Sequence, residues 1–384
     1  MRKRLAIVTS HPIQYNAPLF RLLTERGNID VKVFYTWGQT EQGFVYDPDF
    51  KQAFQWDIPL LEGYEKEFVE NISKQPTAGS FNGIDNRDLI QRIDRYNPDA
   101  LLVFGWSFKS HLRVLRHYGG RKKIIFRGDS NLLDEVPGLS VKKILRLVFL
   151  RWVYRTVDLA LYTGAANKSY YVKYGLTEDQ LVYAGHAVEN ERFYDTTGRY
   201  EAAAAQWRLE LGIAADEQVY LFAGKLEPKK DPLLLLEAFQ QLNVPKSRLI
   251  FVGKGILEDV LQQKAAGDSR ILFLGFQNQQ QMPVVYRLAN VFVLPSKGPG
   301  ETWGLSVNEA LACDRPVLVS NKCGCAADLV VPGTNGLIFE AGDIGSLKTS
   351  MKKTVDMQYS VDAIRSVVRR FCIQSIAEAV EQAL

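Results

Sequence analysis

Two lysines and two glutamates mark where this chain could do chemistry. Lys225 and Lys230 lie in "AGKLEPKKDPLLLLEAF", where an apolar run ends at Ala223-Gly224 and a helix is expected to begin at Pro232. Cations beside a helix N-terminus, whose first N–H groups have no intrahelical acceptor, form a pocket for anionic oxygen. Glu301 and Glu309 stand eight positions apart in "ETWGLSVNEALACDRPVLVS". A helix is expected from near Gly304 through Ala312, stopping before Pro316, which leaves Glu301 in a loop and Glu309 within the helix. Gly304, Leu305 and Ser306 would then offer N–H groups to a phosphate. The acids cannot serve phosphate, because like charges repel. An ionised carboxylate only accepts hydrogen bonds, and it can take two from a vicinal diol. Phosphate flanked by two polyols is the outline of a nucleoside diphosphate joined to a sugar.

A glycine-rich turn adds to this. "FVGKGIL" places Gly253 and Gly255 after an expected strand and before a helix, where the backbone can approach a ligand closely. It lacks the third glycine of the dinucleotide fingerprint. Taken singly, these patterns also fit a solvated basic loop, a tight turn and a surface acid on a helix.

The elements that must position these residues are legible as an alternation. "RLAIVTS" precedes "APLFRLLTERG", "DALLVFG" precedes "KSHLRVLRHYG", and "VYLFAGKL", "RLIFVGKG", "VFVLPS" and "PVLVS" alternate with helical segments. Such alternation with short connections predicts parallel sheets covered by helices on both faces. It pauses between about Val188 and Gly212, so the linker is placed near Glu189–Thr197. Two α/β units result, residues 1–190 and 191–361. A chain of 384 residues is also longer than the roughly 250–300 at which one core stops growing. Ligands of open α/β sheets bind outside the carboxyl ends of the strands, and two facing units would enclose a cleft there.

Composition narrows the class. Hydrophobic residues at 46% and charged residues at 23% describe an ordinary globular protein, and a net charge of +4 is too weak to argue for nucleic acid. Cys313, Cys323, Cys325 and Cys372 include a C-x-C pair with no second pair or histidine cluster, so free thiols in a reducing cytoplasm are expected and zinc is not. The apolar run Leu5–Val8 is too short for a signal peptide and fits a first strand. No run approaches 18 apolar residues.

In order, "GKLEPKKDPLLLLEAF", "FVGKG", "FLGF", "ETWGLSVNE" and "DLVVPGTNGLIF" resemble the motifs of retaining glycosyltransferases of family four, the glycosyl transferases group 1, which have the GT-B fold. Five matches in the right order carry far more than one. The resemblance implies that Lys225 and Lys230 hold the donor diphosphate and stabilise the leaving nucleotide. It implies that Glu309 binds the ribose hydroxyls and Glu301 the donor sugar. Gly224 lines the donor site, Gly253 and Phe276 border the base, and Gly304 and Leu305 supply amides. Most members have arginine where Lys225 stands, which removes bidentate contact but keeps the charge. The usual "EGFGL" reads "ETWGL" here, so with Thr302 and Trp303 in place the resemblance leaves the exact sugar open. No covalent nucleophile is evident, and the family implies same-face attack assisted by the leaving phosphate, without a metal or other cofactor.

The first half departs more from the family. "TSHPIQYNAPLFRLL" resembles a subgroup with an N-terminal HPIQY motif, which would turn His11, Gln14, Tyr15 and Asn16 toward acceptor or phosphate. A capping or packed role for His11 stays open. "KIIFRGDS" offers Arg127 for phosphate and Asp129 for an acceptor hydroxyl, against an ordinary ion pair. By the same resemblance, residues 362–384 return to the first unit as a last helix. Asp47-Pro48-Asp49 has the D-x-D form of metal-binding transferases, but a turn is expected there. "SVKKILRLVFLRWVYRTVD", residues 140–158, is basic and amphipathic and suits an anionic membrane at the inner face. Its apolar residues wrap most of its circumference, which favours a buried scaffold helix. The whole reads as an α/β chain of GT-B type moving a hexose from a UDP-sugar to a glycan or lipid-linked hydroxyl. A nucleotide-sugar epimerase or a non-catalytic nucleotide-sugar binder are the alternatives.

Overall fold

The structure, a computed structural model, describes residues 2–38, 44–47 and 52–384. It divides into two compact units, one of residues 1–45, 58–186 and 373–384, the other of residues 46–57 and 187–372.

Up to residue 186 the strands run, in chain order, β1 (Lys3–Thr9), β2 (Ile29–Tyr35), β3 (Phe44–Asp47), β4 (Gln52–Gln55), β5 (Glu65–Phe68), β6 (Ala100–Phe104), β7 (Lys123–Arg127), β8 (Leu159–Tyr162) and β9 (Leu181–Tyr183). β3 and β4 pair with each other, β3 extending into the second unit and β4 lying within it, while the other seven form one sheet ordered β5-β2-β1-β6-β7-β8-β9. Every neighbour in that sheet is parallel. Leu5, Ala6, Ile7 and Val8 are wholly buried, as a central strand covered on both faces requires. The chain starts in the middle of the sheet, so the winding reverses between β1 and β6, and the loop after β1 carries His11.

A buried polar knot sits beside this sheet. His111 faces Phe104 O through Nδ1 at 2.9 Å and Thr36 Oγ1 through Nε2 at 3.0 Å. Burial pushes its pKa down to about 4, against two backbone hydrogen bonds that raise it. A depressed histidine leaves stability complete above the unfolded value near 6.5, and that stability is lost as pH falls toward 4. Melting temperatures of the intact chain should therefore hold from pH 8 to 7 and decline between pH 6.5 and 5, with up to about 3 kcal/mol lost to His111 by pH 4. A flat profile down to pH 5 contradicts this placement.

The second unit carries β10 (Gln218–Ala223), β11 (Ser247–Val252), β12 (Ile271–Phe273), β13 (Val291–Leu294), β14 (Val317–Ser320) and β15 (Gly336–Phe339). They form a parallel sheet ordered β12-β11-β10-β13-β14-β15. The chain winds outward from β10 to β12, then crosses back to β13 on the other side. The reversal thus falls between β10 and β13, where a doubly wound sheet leaves a crevice for ligand. Phe222, Phe239, Phe251, Leu235 and Met351 fill the core beneath it.

Two expectations need correction, and a third falls largely outside the described residues. The division falls at 186/187, not 190/191, and the returning segment begins at Ile373, not 362. The helical pattern is broken: helix Val361–Val368 stays in the second unit, where Arg365 clasps Asp314 at 2.7 Å through both Nε and Nη2. Only helix Ile373–Gln382 joins the first unit, with Glu381 accepting from Arg26 Nε and Nη2 at 2.9 Å. Next, the helix expected to be buried scaffold at 140–158 runs Val141–Tyr154 and buries only Leu150, Val153 and Tyr154 fully. The turn expected at Asp47-Pro48-Asp49 is the third: Asp47 ends a strand, and Pro48 and Asp49 lie outside the described residues.

Candidate active site

In the second unit the predicted residues gather at the exits of β10, β11 and β13. Gly224 leaves β10, Lys225 follows it half-buried, and the chain turns through Pro228–Lys230 into helix Pro232–Gln240. The turn brings the Lys230 stem over Gly224, with Cδ 3.4 Å from where a Gly224 Cβ would stand. Lys230 Nζ then donates to Glu301 Oε2 at 2.7 Å, across the β10/β13 reversal. Ser296 Oγ, at the exit of β13, donates to the same oxygen at 2.9 Å.

Glu301 is only 8% exposed. Burial alone would raise its pKa, but the Lys230 charge and hydrogen bond, with Ser296 and Lys229 assisting, hold it below the ordinary glutamate value. It is a carboxylate at neutral pH with a fixed cation beside it. Such a pair is stable only while both partners are present, since either charge alone would be buried uncompensated.

Gly253 is dictated by packing. Its φ is +126°, and a Cβ there would lie 2.0 Å from the Gly224 carbonyl oxygen, closer than any side chain allows. Its N–H donates to Gly275 O at 2.7 Å, which sets the half-buried Phe276 at the next strand exit. The turn predicted from "FVGKG" is thus a place where two strand exits touch.

Helix Leu305–Ala312 begins after Gly304, whose φ is +101°, and no side chain caps it. Its first N–H groups accordingly point from Gly304 and Leu305 as a donor cluster. One turn further in, Glu309 is 3% exposed, and its Oε2 accepts from Tyr286 Oη at 2.7 Å. Trp303 packs inward. It is 3% exposed, its Nε1 donates to Asn308 Oδ1 at 2.8 Å, and its ring lies 6.0 Å from that of Phe371. The departure from the family's phenylalanine is a core substitution.

Several residues that matter here carried no motif. Ser296 was one. Gly324 is another: its N–H donates to Glu301 O at 3.1 Å, and a Cβ on it would sit 1.7 Å from Thr302 O. Cys325 N donates to Trp303 O at 3.0 Å, and Ser320 Oγ donates to Ser296 O. The 320–325 loop is therefore the seat of the Glu301 loop. Cys323 and Cys325 are free and buried, and burial pushes the Cys323 thiol up to about 12. They fill space in that seat and are not nucleophiles. Among the described residues no three His, Cys, Asp or Glu side chains gather as a metal site.

In the first unit, His11, Gln14, Tyr15 and Asn16 share the turn between β1 and helix Ala17–Arg26, all half-buried. Ile13 O accepts from both Asn16 N and Ala17 N at 3.1 Å, which closes the turn. His11 Nδ1 lies 3.0 Å from Ser10 Oγ, and its ring meets Trp37 edge-on at 5.9 Å. Burial lowers its pKa, so it is neutral at pH 7. Arg127 is engaged within its own unit through one nitrogen. It is 4% exposed, its Nη1 donates to Ala184 O at 2.8 Å, and burial pushes its pKa down to about 10. Asp129 beyond it is exposed. His186, which no motif marked, lies within the field of both, and burial with the Arg127 charge pushes its pKa down to about 3.

Residues 204–369 match the family model described as glycosyl transferases group 1. The chain is 37% identical over 121 residues to D-inositol 3-phosphate glycosyltransferase of Mycobacteroides abscessus, a match spanning 29% of this chain and 26% of that protein. It is 34% identical over 293 residues to lipopolysaccharide 1,2-N-acetylglucosaminetransferase of Salmonella typhimurium, covering 73% of this chain and 68% of the relative. Anabaena HepE, solved with UDP and glucose, superposes with a TM-score of 0.71 at 16% identity over 99% of both chains. At that identity the likeness carries the fold alone, and the fold is GT-B, two Rossmann-like units each built on a parallel sheet. With the Salmonella relative matched over two thirds of its length, the chain belongs to the glycosyl transferases group 1.

Proposed function

We propose that this protein is a retaining glycosyltransferase that moves a hexose from a UDP-sugar, UDP-glucose or a close relative, to a hydroxyl of a glycan or lipid-linked sugar in cell-surface polysaccharide synthesis. One observation carries the reading: a buried Lys230–Glu301 pair bridges the reversal of the donor-side sheet, beside the uncapped start of helix Leu305–Ala312. Breaking a glycosyl–phosphate bond leaves a cationic sugar and an anionic diphosphate. Lys230, Lys225 and the helix amides are the groups that would take up the anion, and preorganised charge of this kind is usually the largest contribution to such catalysis. Glu301 accepts hydrogen bonds from the sugar hydroxyls and stays ionised to do so. Glu309, anchored by Tyr286, is set to accept from the ribose. The cations and amides meet the charge without calling on a metal. Attack from the face the nucleotide leaves, with the leaving phosphate taking the acceptor proton, suits a site with no side-chain nucleophile.

The relatives point the same way: one is named for transfer to lipopolysaccharide and one was solved with UDP and glucose. In this reading the reaction takes place in the cytoplasm, at the inner membrane face. His11, Gln14, Tyr15 and Asn16, at the reversal of the first sheet, are the acceptor-side residues of this reading.

Incubation of the purified chain with UDP-glucose and no acceptor should release UDP slowly, faster on adding a lipid-linked glycan. Formation of a new nucleotide sugar would make the protein an epimerase, and binding without release would make it a binder. A thermal-shift panel of nucleotide sugars identifies the base and sugar, since a ligand at about 100 times its Kd adds roughly 2.7 kcal/mol.

A further inference from the structure

The helix Val141–Tyr154 is amphipathic the wrong way round for a protein in water. Leu150, Val153 and Tyr154 pack into the first unit's core. Its outer face carries Val141, Ile144, Leu145, Val148, Phe149 and Trp152, exposed by 73, 51, 66, 63, 38 and 40%. These are positions i, i+3, i+4, i+7, i+8 and i+11, one continuous stripe along the helix. The loop before it exposes Val136 and Leu139 by 73 and 92%. Single exposed apolar residues are commonplace, but six on one face of a helix mark a surface that something covers.

The charges around the stripe select what covers it. Lys142, Arg151 and Arg155 flank it and are exposed, and the segment from 136 to 157 contains no acid. Arg116, from the neighbouring helix Lys109–Tyr118, stacks 4.3 Å from the centre of the Trp152 ring. A second copy of the chain would bring these cations against their own kind with no carboxylate in the segment to answer them. An anionic lipid surface answers both features, taking the apolar stripe into the acyl boundary and the cations at its headgroups, with Trp152 suited to the interface. Among the described residues no helix is long and apolar enough to cross a bilayer. At 14 residues this one measures about 21 Å, enough to lie in the interface.

We infer that helix Val141–Tyr154 and the loop before it are a membrane-docking surface, which seats the first unit on an anionic bilayer with the helix parallel to the plane. This surface stands on the exposed stripe and its charges, independently of the reaction proposed above.

The intact chain is tested by co-sedimentation with vesicles of equimolar phosphatidylglycerol and phosphatidylcholine, and with vesicles of phosphatidylcholine alone. Wild type should pellet with the anionic vesicles at least tenfold more than with the neutral ones, and less at 0.5 M salt. The double variant Leu145→Asp/Val148→Asp, both positions exposed, should lose at least tenfold of that binding with unchanged circular dichroism and melting temperature. The variant Lys142→Gln/Arg151→Gln/Arg155→Gln should lose the preference for anionic lipid. Wild type remaining in the supernatant overturns the inference. So does equal binding by the Asp variant, or a stable dimer in light scattering that the Asp variant dissolves, which would assign the stripe to a second copy.

Discussion

Lys230→Ala is expected to lower turnover of UDP-glucose by two to three orders of magnitude and to melt the protein well below wild type. The first effect follows from removing a fixed cation from the departing diphosphate, a loss on the order of 10²–10³ in kcat when one preorganised stabiliser is deleted. The second follows from Glu301, which is 8% exposed and would be left ionised without its partner at 2.7 Å. Breaking a buried pair from one side costs about 3–5 kcal/mol, or roughly 6–20 °C in a chain of this class. The two effects separate in the double variant Lys230→Met/Glu301→Gln, which is neutral and close in shape. It should recover most of the lost melting temperature and none of the turnover. Measured kcat within threefold of wild type in either variant would remove Lys230 and Glu301 from the reaction, whatever the melting curves show.

Lys230 and Glu301 were each legible as candidates because the breaks around them are local, whereas their pairing across 71 positions was not. Apolar runs end in Gly224, Gly253 and Pro295, helices open at Pro232 and Gly304, and each break falls within a few residues of a charged side chain. The expected helix from Gly304 through Ala312 matches the observed Leu305–Ala312 to within a residue, because glycine opens it and Pro316 forbids its continuation. Strand β5 escaped notice for the opposite reason. Its sequence Glu65–Phe68 is charged, and Lys32 of the neighbouring strand answers Glu65 and Glu67 at 3.0 Å each, so an edge strand looks like a solvated loop.

Where the outcome depended on distant partners, the sequence was silent. Arg127 is consumed by a carbonyl 57 positions away. The turn from Val368 to Ile373 hides inside a continuous helical period, because Asp314, which holds the first half, lies 51 residues from Arg365. The face of helix Val141–Tyr154 that meets the core follows from the core's geometry. Apolar residues surround that helix, and periodicity alone could not say which arc the fold would leave in solvent. Burial of Trp303 belongs to the same class. Its partners Asn308 and Phe371 follow from the fold and not from the motif around it.

The most informative silent position is Gly324, and Gly324→Ala is expected to cost about a hundredfold in kcat while leaving the second unit folded. No motif marks it and its side chain would touch no substrate. Its effect runs through the backbone: a methyl group there meets Thr302 O at 1.7 Å, where real contacts need about 3 Å, so the 301–303 segment must move by about an ångström or more. The same glycine's N–H holds Glu301 O at 3.1 Å, so the displacement reaches the carboxylate that faces the sugar. Misplacement of a positioning group by about 1 Å costs on the order of 10² in rate. UDP affinity should change less than tenfold, because Lys225 lies outside the displaced 301–303 segment and Glu309 is held from helix Met282–Arg287 by Tyr286. Turnover per folded molecule, counted by UDP-binding stoichiometry, distinguishes positioning from simple loss of stability. A purely structural glycine would reduce the number of sites and leave the rate of each unchanged, and that result would break the link between the 320–325 loop and catalysis.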